Sequence, residues 1–510
     1  MDNEKYILAF DVGTSSLKAV MADMKGNIAG SRVEGYPSHM PQPGWMEQEP
    51  ADYWNATVKA TKSLLSETHI DPGQVAGMVF TTQAMGIIPV DKEGHVLRRN
   101  ITWVDGRAQE EATWFMNRFG GKRVFMSIIG IEITGKDVLP KLRWLKKKEP
   151  EIYAKADKIL DVNGYLKFRA TGRKVFEWSG ACSYTFDLKK KYWTSWLFRM
   201  IGFDMAKLPE LVRSTDIVGG LTEGAAEELG LQEGMPVFGG CDDTQSAAVG
   251  SGATGENEAH IYLGTSAWVG LITSRIHSFK HGAVCLQSAD PAKNIIVGIT
   301  ESAGSNIDWL IKNFYAGEQK DPAVPDVYRL ANEEASLVSP GSDQLIFTPW
   351  LFGERCPVAT TTTRGTIFNL GQHHSRAHLM RAMSEGIAYN LRWIIMNLEK
   401  DYKIPVPRLR IIGGGTQSEN WMQMIADITN REVITTSHPK MAGALGAAMC
   451  AFVGLGVIQN FSEVTALVSS RQTYTPEPER VNIYNRIFPY YREIFKRNKT
   501  LYRTFNAPTH

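Results

Sequence analysis

The chain opens with short apolar runs separated by turns of small polar residues. Residues 6–10 read as a buried strand, residues 11–16 interrupt it, and residues 17–21 resume the apolar pattern before a second turn. The pattern predicts a strand, a tight turn and a second strand, with hydroxyls and backbone N–H groups at the tip. Successive N–H groups in such a turn form an anion-binding concavity, and Gly13 lets a ligand approach the main chain. We therefore predict a phosphate-binding loop.

The same pattern occurs again about half a chain later. Residues 261–271 show a strand, a Gly-Thr-Ser turn at Gly264 and a second strand. Either unit alone could be an ordinary hairpin. Two similar units half a chain apart instead indicate a duplicated domain, with a nucleotide between the halves. Asp11 would repel a phosphate directly, but it can hold a divalent cation that contacts one, because Mg²⁺ prefers oxygen ligands and keeps several waters.

Strand, turn and helix patterns alternate in both halves of the chain, which predicts an α/β fold of two similar lobes with a cleft. Apolar residues at spacings of three and four mark a long helix with one buried stripe over residues 379–398. The small, Gly-rich stretch 247–256 is the predicted boundary. We expect one domain over residues 1–252 and a second over residues 253–510.

Composition narrows the functional classes. The 510 residues are 43% hydrophobic and carry a formal net charge of +2, which offers no electrostatic argument for binding nucleic acid or an anionic membrane. The five cysteines are scattered without a C-x-x-C pair, which favours a reducing compartment. Residues 441–458 contain no charge, but their Gly and Ala content favours close packing over a membrane span. We expect no signal peptide and a cytoplasmic location.

A pair of acids is the first candidate for chemistry. The pair lies between a predicted short strand and a helix of small residues, in the segment Gly239, Gly240, Cys241, Asp242 and Asp243. A carboxylate at a strand end in a cleft is a reasonable general base. The alternative is a helix cap beside an exposed acid.

Two further clusters suggest ligand contacts. The first cluster is a glycine run, Gly413–Gly415, followed by Ser418 and Asn420. It would let a flat base or ribose lie on the main chain, although a glycine run alone is a weak signal. The second cluster offers both the hydroxyl-binding groups and the apolar face that sugars need. It consists of Trp103, Asp105 and Arg107, together with Gln83. The alternative for the second cluster is a surface ion pair beside a packed Trp.

Taken together and in order, these motifs resemble the FGGY family of carbohydrate kinases. The resemblance runs from about residue 6 to residue 448 and rests on the ordered set, including D-x-G-T-S, W-x-D-x-R, P-K-L-R-W-L, G-G-x-D-D, L-G-T-S and G-G-G-x-x-S. It implies two actin/ribonuclease-H-like domains that close on ATP, Mg²⁺ and a small sugar. It also suggests a homodimer.

The resemblance implies a role for individual residues. Asp242 is similar to the catalytic base of the family, and Asp11 to the carboxylate that holds Mg²⁺ through water. The residues expected to contact the phosphates are Thr14, Ser15, Ser16, Lys18, Gly264, Thr265 and Ser266. Those expected to hold the adenosine are Gly304, Asp308, Gly413, Gly414, Gly415, Ser418 and Asn420. Those expected to face the sugar are Gln83, Ala84, Met85, Trp103, Asp105, Arg107, Asp242 and Asp243.

Within the family, the segment 44–50 and the W-x-D-x-R segment are most similar to the kinases of xylulose, which implies phosphorylation of D-xylulose to D-xylulose 5-phosphate. Two residues depart from that pattern. Met85 stands where a sugar-contacting His is typical, and Asn369 stands where Gly is usual. Met offers no strong hydrogen bond, so the sugar could instead be ribulose, glycerol, erythritol or gluconate.

A hypothesis from a different functional class keeps the same fold but assigns no catalytic activity to the protein. Actin and the Hsp70 chaperones share such phosphate loops but act as nucleotide switches without a sugar pocket. The Asp242–Asp243 pair and the 103–107 segment argue against that reading, because a switch has no need of them.

Overall fold

The computed structural model describes residues 4–129 and 131–506, so the outer ends of both predicted domains lie outside it. The strands are β1 (Tyr6–Val12), β2 (Ser16–Asp23), β3 (Ile28–Gly35), β4 (Glu47–Gln48), β5 (Val75–Thr82), β6 (Ile88–Val90), β7 (Asn100–Ile101), β8 (Lys158–Leu160), β9 (Val175–Glu177), β10 (Phe186–Asp187), β11 (Tyr192–Trp193), β12 (Glu210–Val212), β13 (Ile217–Gly220), β14 (Pro236–Phe238), β15 (Cys241–Asp242), β16 (Ala259–Leu263), β17 (Ala267–Thr273), β18 (Val284–Gln287), β19 (Asn294–Ile299), β20 (Ile346–Thr348), β21 (Thr366–Phe368), β22 (Arg408–Ile412), β23 (Glu432–Thr436) and β24 (Ser470–Tyr474).

The helices of the described ranges complete the element order. They are α1 (Pro50–Thr68), α2 (Gln109–Asn117), α3 (Lys122–Ile129), α4 (Val138–Lys148), α5 (Pro150–Lys155), α6 (Val162–Thr171), α7 (Trp178–Ser183), α8 (Ser195–Met200), α9 (Glu223–Leu229), α10 (Asp243–Ser251), α11 (Gly304–Phe314), α12 (Val327–Ser336), α13 (Arg376–Tyr402), α14 (Glu419–Thr429), α15 (Ala442–Gly454), α16 (Val464–Leu467) and α17 (Pro478–Asn506).

Two large sheets repeat one topology. In the first sheet the order is β13-β14-β5-β1-β2-β3, with β15 also paired to β5; β1 to β3 form an antiparallel meander, and β5 and β14 run parallel to β1. In the second sheet the order is β18-β19-β17-β16-β22-β23-β24, where β16, β17 and β19 form the meander and β22 and β23 run parallel to β16. This repetition confirms the predicted duplicated α/β fold.

The second sheet is covered on one face by the long helix that the periodicity predicts. In α13 the residues Leu379, Met383, Ile387 and Leu391 are all buried. The helix begins after Ser375, which forms a capping box with His378. The stripe joins the largest apolar cluster of the protein, so burial of this face holds α13 on the sheet.

The two halves exchange helices. From the second half, α15 packs its alanine-rich surface on apolar side chains of β1, β2 and β5 in the first sheet. From the first half, α10 packs Ala247 and Ala248 against side chains of β16, β17 and β22 in the second sheet. The proposed boundary at 252/253 separates the strands of the two sheets but leaves α15 on the first one.

Where α10 and α15 cross, their backbones touch. A Cβ at Gly446 would overlap the carbonyl oxygen of Ser246, and a Cβ at Gly250 would overlap that of Ala442. The Ser246 hydroxyl donates to the Gly443 carbonyl across the same contact. The uncharged segment 441–458 is thus accounted for by this close packing, and the search for membrane spans in the described residues finds no helix sufficiently long and apolar.

Gly446→Ala should lower the melting temperature clearly, because the added methyl group forces two backbones apart at a cost of about 1–3 kcal/mol. Gly224→Ala is the matched control. Gly224 lies in the exposed part of α9, and a Cβ there meets nothing within 4 Å. Reduced freedom of the unfolded chain should leave that variant as stable as the parent or slightly more so. Equal melting temperatures for the two variants in calorimetry would contradict the close helix crossing.

Candidate active site

The first predicted phosphate loop joins β1 to β2. Gly13 closes the turn by donating its N–H to the Ser16 carbonyl at 3.0 Å. Trp103 Nε1 donates to the Thr14 hydroxyl at 2.9 Å, which fixes that side chain. Among the residues that the structure describes, no acceptor lies within hydrogen-bond distance of the backbone N–H of Thr14 or Ser15. Both N–H groups are available to an anion.

The second loop is built in the same way and rests on a helix. Gly264 donates its N–H to the Ser266 carbonyl at 3.0 Å, and Gly304, at the start of α11, donates to the Gly264 carbonyl at 2.9 Å. A Cβ at Gly304 would lie 2.6 Å from that same carbonyl oxygen, so the contact requires glycine. Within the described ranges the N–H groups of Thr265 and Ser266 also have no acceptor. The duplicated motif therefore yields two anion-binding turns.

Asp11 lies where the two halves meet. Its Oδ2 is 3.1 Å from Lys18 Nζ, because the two residues face each other in the register of β1 and β2. A Cβ at Gly443, in the first turn of α15, would lie 2.7 Å from the same Oδ2. The charge of Asp11 is the largest cause that raises the pKa of the Lys18 ammonium, and Tyr262 of β16 adds to the effect. Strand ends of both sheets therefore converge on this carboxylate.

The donor set around Asp11 fits the cation and the phosphates that the motifs predict. Burial first, and then the charge of Asp11, raise the pKa of Asp243 to about 6. The Asp11 carboxylate offers the oxygen ligands that a hard cation such as Mg²⁺ prefers, directly or through water. Lys18 and the free N–H groups of both turns are donors suited to phosphate oxygens.

The glycine run that follows β22 forms a turn beside the end of β16. Gly413 has a left-handed φ of 98°, and a Cβ there would lie 2.6 Å from the Leu263 carbonyl. A 3₁₀ turn, Gly414–Gln417, follows. Ser418 then caps α14 by accepting from the Trp421 N–H at 3.3 Å. The run thus needs glycine for its backbone conformation and close approach.

The remaining adenosine candidates differ in how open they are. A Cβ at Gly414 would meet nothing within 4 Å, whereas one at Gly415 would meet the Leu263 side chain. Asn420 is exposed in the first turn of α14. Asp308 is also exposed, but its carboxylate accepts the Tyr328 hydroxyl at 2.9 Å. Their contact with adenosine stays a prediction.

Asp242 ends β15, opposite the end of β5 in a parallel pair. Its side chain makes no cap bond to α10 and the residue is 4% exposed, so the alternative of a helix cap with an exposed acid is wrong. Its Oδ1 is buried without a hydrogen-bond partner among the described residues. Its N–H donates to the Ser179 hydroxyl at 2.9 Å, which holds the backbone in place.

Burial raises the pKa of Asp242 well above its ordinary value, and the nearby carboxyl groups of Asp161, Asp243 and Glu177 act in the same direction. A carboxylate with a raised pKa is a stronger base near neutral pH. Asp242 is thus suited to accept a proton.

The predicted sugar residues Gln83, Ala84 and Met85 form the tip that follows β5. Gln83 is buried, donates its Nε2 to Gln48 Oε1 at 2.8 Å, and leaves its own Oε1 without a partner in the described part of the chain. Ala84 and Met85 are partly exposed, and Met85 has a left-handed φ of 63°.

Asn369, the second residue that departs from the family pattern, has a φ of 67°. Asn tolerates this conformation better than most side chains, which explains how it replaces Gly.

Asp105 and Arg107 form an ion pair, but a buried one. Asp105 is 0% exposed, and its oxygens accept from the Arg107 side chain at 2.7 and 2.9 Å and from the Met46 N–H at 2.6 Å. The Arg107 guanidinium lies 3.8 Å from the centre of the Trp45 ring. Trp103 remains partly exposed. In this state Asp105 supports the loop that carries Trp103, and a direct contact with sugar stays a prediction.

Some residues of the site were not predicted. Gln48, fully buried, donates to the Thr14 carbonyl at 2.6 Å and so links the first phosphate loop to Gln83. Asp161 and Glu177 lie near Asp242. Both acids stand at the end of a short strand, as Asp11 and Asp242 do, and that shared position is the signal that could have identified them.

The comparisons with known proteins agree along the chain. Residues 6–250 match the N-terminal domain of the FGGY family of carbohydrate kinases, and residues 259–455 match its C-terminal domain. Xylulose kinase of Lactococcus lactis is 32% identical over 495 residues, which is 96% of each chain.

Two solved structures from Lactobacillus acidophilus are each 26% identical and cover 98% of this chain and all of their own. They are a ligand-bound xylulose kinase, with a TM-score of 0.87, and a gluconate kinase, with a TM-score of 0.88. The two family domains cover most of the chain in the order that the motifs predict, and the sheets repeat the actin/ribonuclease-H-like topology. The chain therefore belongs to the FGGY family of carbohydrate kinases, which are ATP-dependent enzymes of this duplicated fold.

Proposed function

We propose that the protein transfers the γ-phosphoryl group of ATP to a primary hydroxyl of D-xylulose and forms D-xylulose 5-phosphate. The observation that carries the transfer chemistry is the buried Asp242 carboxyl, whose Oδ1 has no partner among the described residues. The choice of sugar rests on the similarity to xylulose kinases at 29–32% identity.

In the proposed mechanism Asp242 accepts the proton of the sugar hydroxyl, and the resulting oxygen attacks the γ-phosphorus in line. The bond from the γ-phosphorus to the bridging oxygen breaks, and ADP leaves with the electron pair. The N–H groups of the Thr14–Ser15 and Thr265–Ser266 turns bind the phosphate oxygens and stabilise the charge that develops. Lys18 supplies a cation at the same place. Catalysis is then mostly positioning and electrostatics.

Mg²⁺ is part of the proposal, with Asp11 as the residue that holds it through water. When bound, it supplies charge neutralisation at the phosphates. Asp11 is well placed because Lys18 and the first turn of α15 fix its carboxylate.

A homodimer and a cytoplasmic location also remain proposals.

On the sugar side, Gln83, Trp103 and Asp243 offer an amide oxygen, an aromatic face and a carboxyl group. Gln48 and Thr14 orient the first two through the bonds described above. Met85 offers no strong donor, so discrimination between sugars depends on the other groups. Gluconate is the second candidate, since gluconokinase of Bacillus subtilis is 27% identical over 488 residues.

ADP release with Mg-ATP should be highest with D-xylulose in a panel that also holds D-ribulose, L-ribulose, glycerol, erythritol, D-gluconate and a control without sugar. We expect kcat/KM for D-xylulose to exceed the others by at least ~10-fold, the scale of one or two specific polar contacts. A preference for gluconate would support the kinase activity but identify gluconate, not D-xylulose, as the substrate. Turnover that no sugar increases would contradict the proposed phosphorylation.

Asp242→Asn should lower kcat by at least ~10², because the amide cannot accept the proton. KM for ATP should change little, since the phosphate loops are intact. Asp71→Asn is the matched control: Asp71 is exposed and caps a 3₁₀ turn, a role that Asn fills equally well. An Asp242→Asn variant as active as the Asp71→Asn control would remove Asp242 from the role of base.

Met85→His should raise kcat/KM for D-xylulose by about 3- to 10-fold, because a new hydrogen bond is worth about 1 kcal/mol. Met85→Leu keeps the size without a donor and should stay within about twofold of the parent. Steady-state kinetics with D-xylulose and glycerol would show whether the gain is specific. Equal kinetics for the His and Leu variants would show that residue 85 does not contact the sugar.

A further inference from the structure

Behind Asp242 the protein buries three more ionisable side chains. Asp161 is 1% exposed, Lys167 is 0% exposed and Glu177 is 2% exposed. Burying charged groups costs free energy unless they are paired or neutralised, so a stable protein keeps such a group only where the charges compensate one another. Their position beside the candidate base suggests a use in the reaction.

Glu177 is linked to the Asp242 backbone through Ser179, and Asp161 lies near the Asp242 carboxyl group. Glu177 Oε2 accepts from the Ser179 N–H at 2.7 Å and also from the Ser179 hydroxyl, whose oxygen in turn accepts from the Asp242 N–H at 2.9 Å. A Cβ at Gly180 would lie 2.8 Å from Asp161 Oδ2 and 3.3 Å from Asp242 Oδ1. The Asp161 and Asp242 carboxyl groups therefore both lie beside Gly180 and close to one another.

Helix α6 supplies the only cation of this cluster in the described ranges. Lys167 Nζ donates to the Gly239 carbonyl at 3.0 Å, just before the strand that carries Asp242. From the same helix, Asn163 Nδ2 donates to the carbonyls of Cys241 at 3.3 Å and Phe80 at 3.1 Å. These bonds place the ammonium of Lys167 under the backbone of residues 239–242.

The groups that face Asp242 come from several elements. Asp161 caps α6 and Lys167 lies within it, Glu177 ends β9, and Asp243 begins α10. The partly buried thiol of Cys182, the buried thiol of Cys241 and the hydroxyl of Tyr184 also lie near Asp242. Burial raises the pKa of Glu177 to about 7, and burial lowers the pKa of Lys167.

We propose that Lys167 is a positioning residue that holds Asp242 in the ionised form needed for proton transfer, and that Asp161 opposes it. The proposal rests on the role of Asp242 in the proposed function. Burial and the neighbouring carboxyl groups oppose the ionisation of Asp242, and the Lys167 ammonium is the charge among the described groups that favours it. Coulombic coupling through the interior requires no direct contact between Lys167 and the substrate.

Two variants with opposite expected effects test the proposal. Lys167→Met removes the ammonium, so the acid limb of the kcat/KM profile should move to higher pH by about one unit or more. Asp161→Asn removes a like charge and still caps α6, so the acid limb should move to lower pH. A general loss of stability could not move the two profiles in opposite directions. Lys174→Met is the control, since Lys174 pairs with Asp157 and should leave the limb in place.

A second measurement does not depend on substrate. A carboxyl group whose pKa is raised on folding stabilises the native state below its unfolded pKa, and this stability is lost as pH rises through the folded pKa. The melting temperature of each variant, minus that of the same variant with Asp242→Asn, isolates this loss. Its midpoint should rise in Lys167→Met and fall in Asp161→Asn.

The outcomes separate the two proposals. If no sugar increases turnover, the proposed function fails, while the melting temperatures still test the charge cluster. If turnover depends on a sugar but both midpoints stay at the parent pH, or move in the same direction, Lys167 and Asp161 do not control Asp242 and the inference is overturned.

Discussion

The structure depends on the contact between α10 and α15, where two backbones meet because Gly250 and Gly446 carry no side chain. Through this contact each half of the chain places a helix on the sheet of the other half. The first turns of these helices carry Asp243 and Gly443, and both residues lie near Asp11. This close backbone contact, with the bond from the Ser246 hydroxyl to the Gly443 carbonyl across it, thereby helps to set the distance between the two phosphate-binding turns.

The site combines open polar groups with closed ones. The N–H groups of Thr14, Ser15, Thr265 and Ser266 lack partners among the described residues. The buried Oδ1 of Asp242 also lacks one, which costs free energy in the free protein unless a ligand supplies the missing bond. By contrast, Asp105 and Arg107 satisfy each other and support the loop of Trp103. The contrast separates groups that are kept free for a ligand from groups that hold the scaffold.

Much of this arrangement could be predicted from local patterns. The Gly-Thr-Ser turns, the acid after a strand at Asp242, and the cap at Ser418 depend on neighbouring residues, so their conformations follow from short-range rules. The alternative of a surface ion pair between Asp105 and Arg107 is right about the pair and wrong about its exposure. The burial depends on Trp45 and Trp144, which are distant in the chain.

The sequence by itself determined the duplicated α/β architecture, the two anion-binding turns and the acid pair at the end of a strand, because strand periodicity and turn chemistry act over a few residues. The choice of Asp242 as the candidate base came from the resemblance to the family. Only the tertiary structure decided that Gln48 joins Gln83 to the first phosphate loop and that α15 packs on the first sheet. It also decided that three buried ionisable side chains lie together near Asp242, namely Asp161, Lys167 and Glu177. Each of these contacts joins segments separated by tens to hundreds of residues, and no local pattern specifies which strand ends come together in the interior.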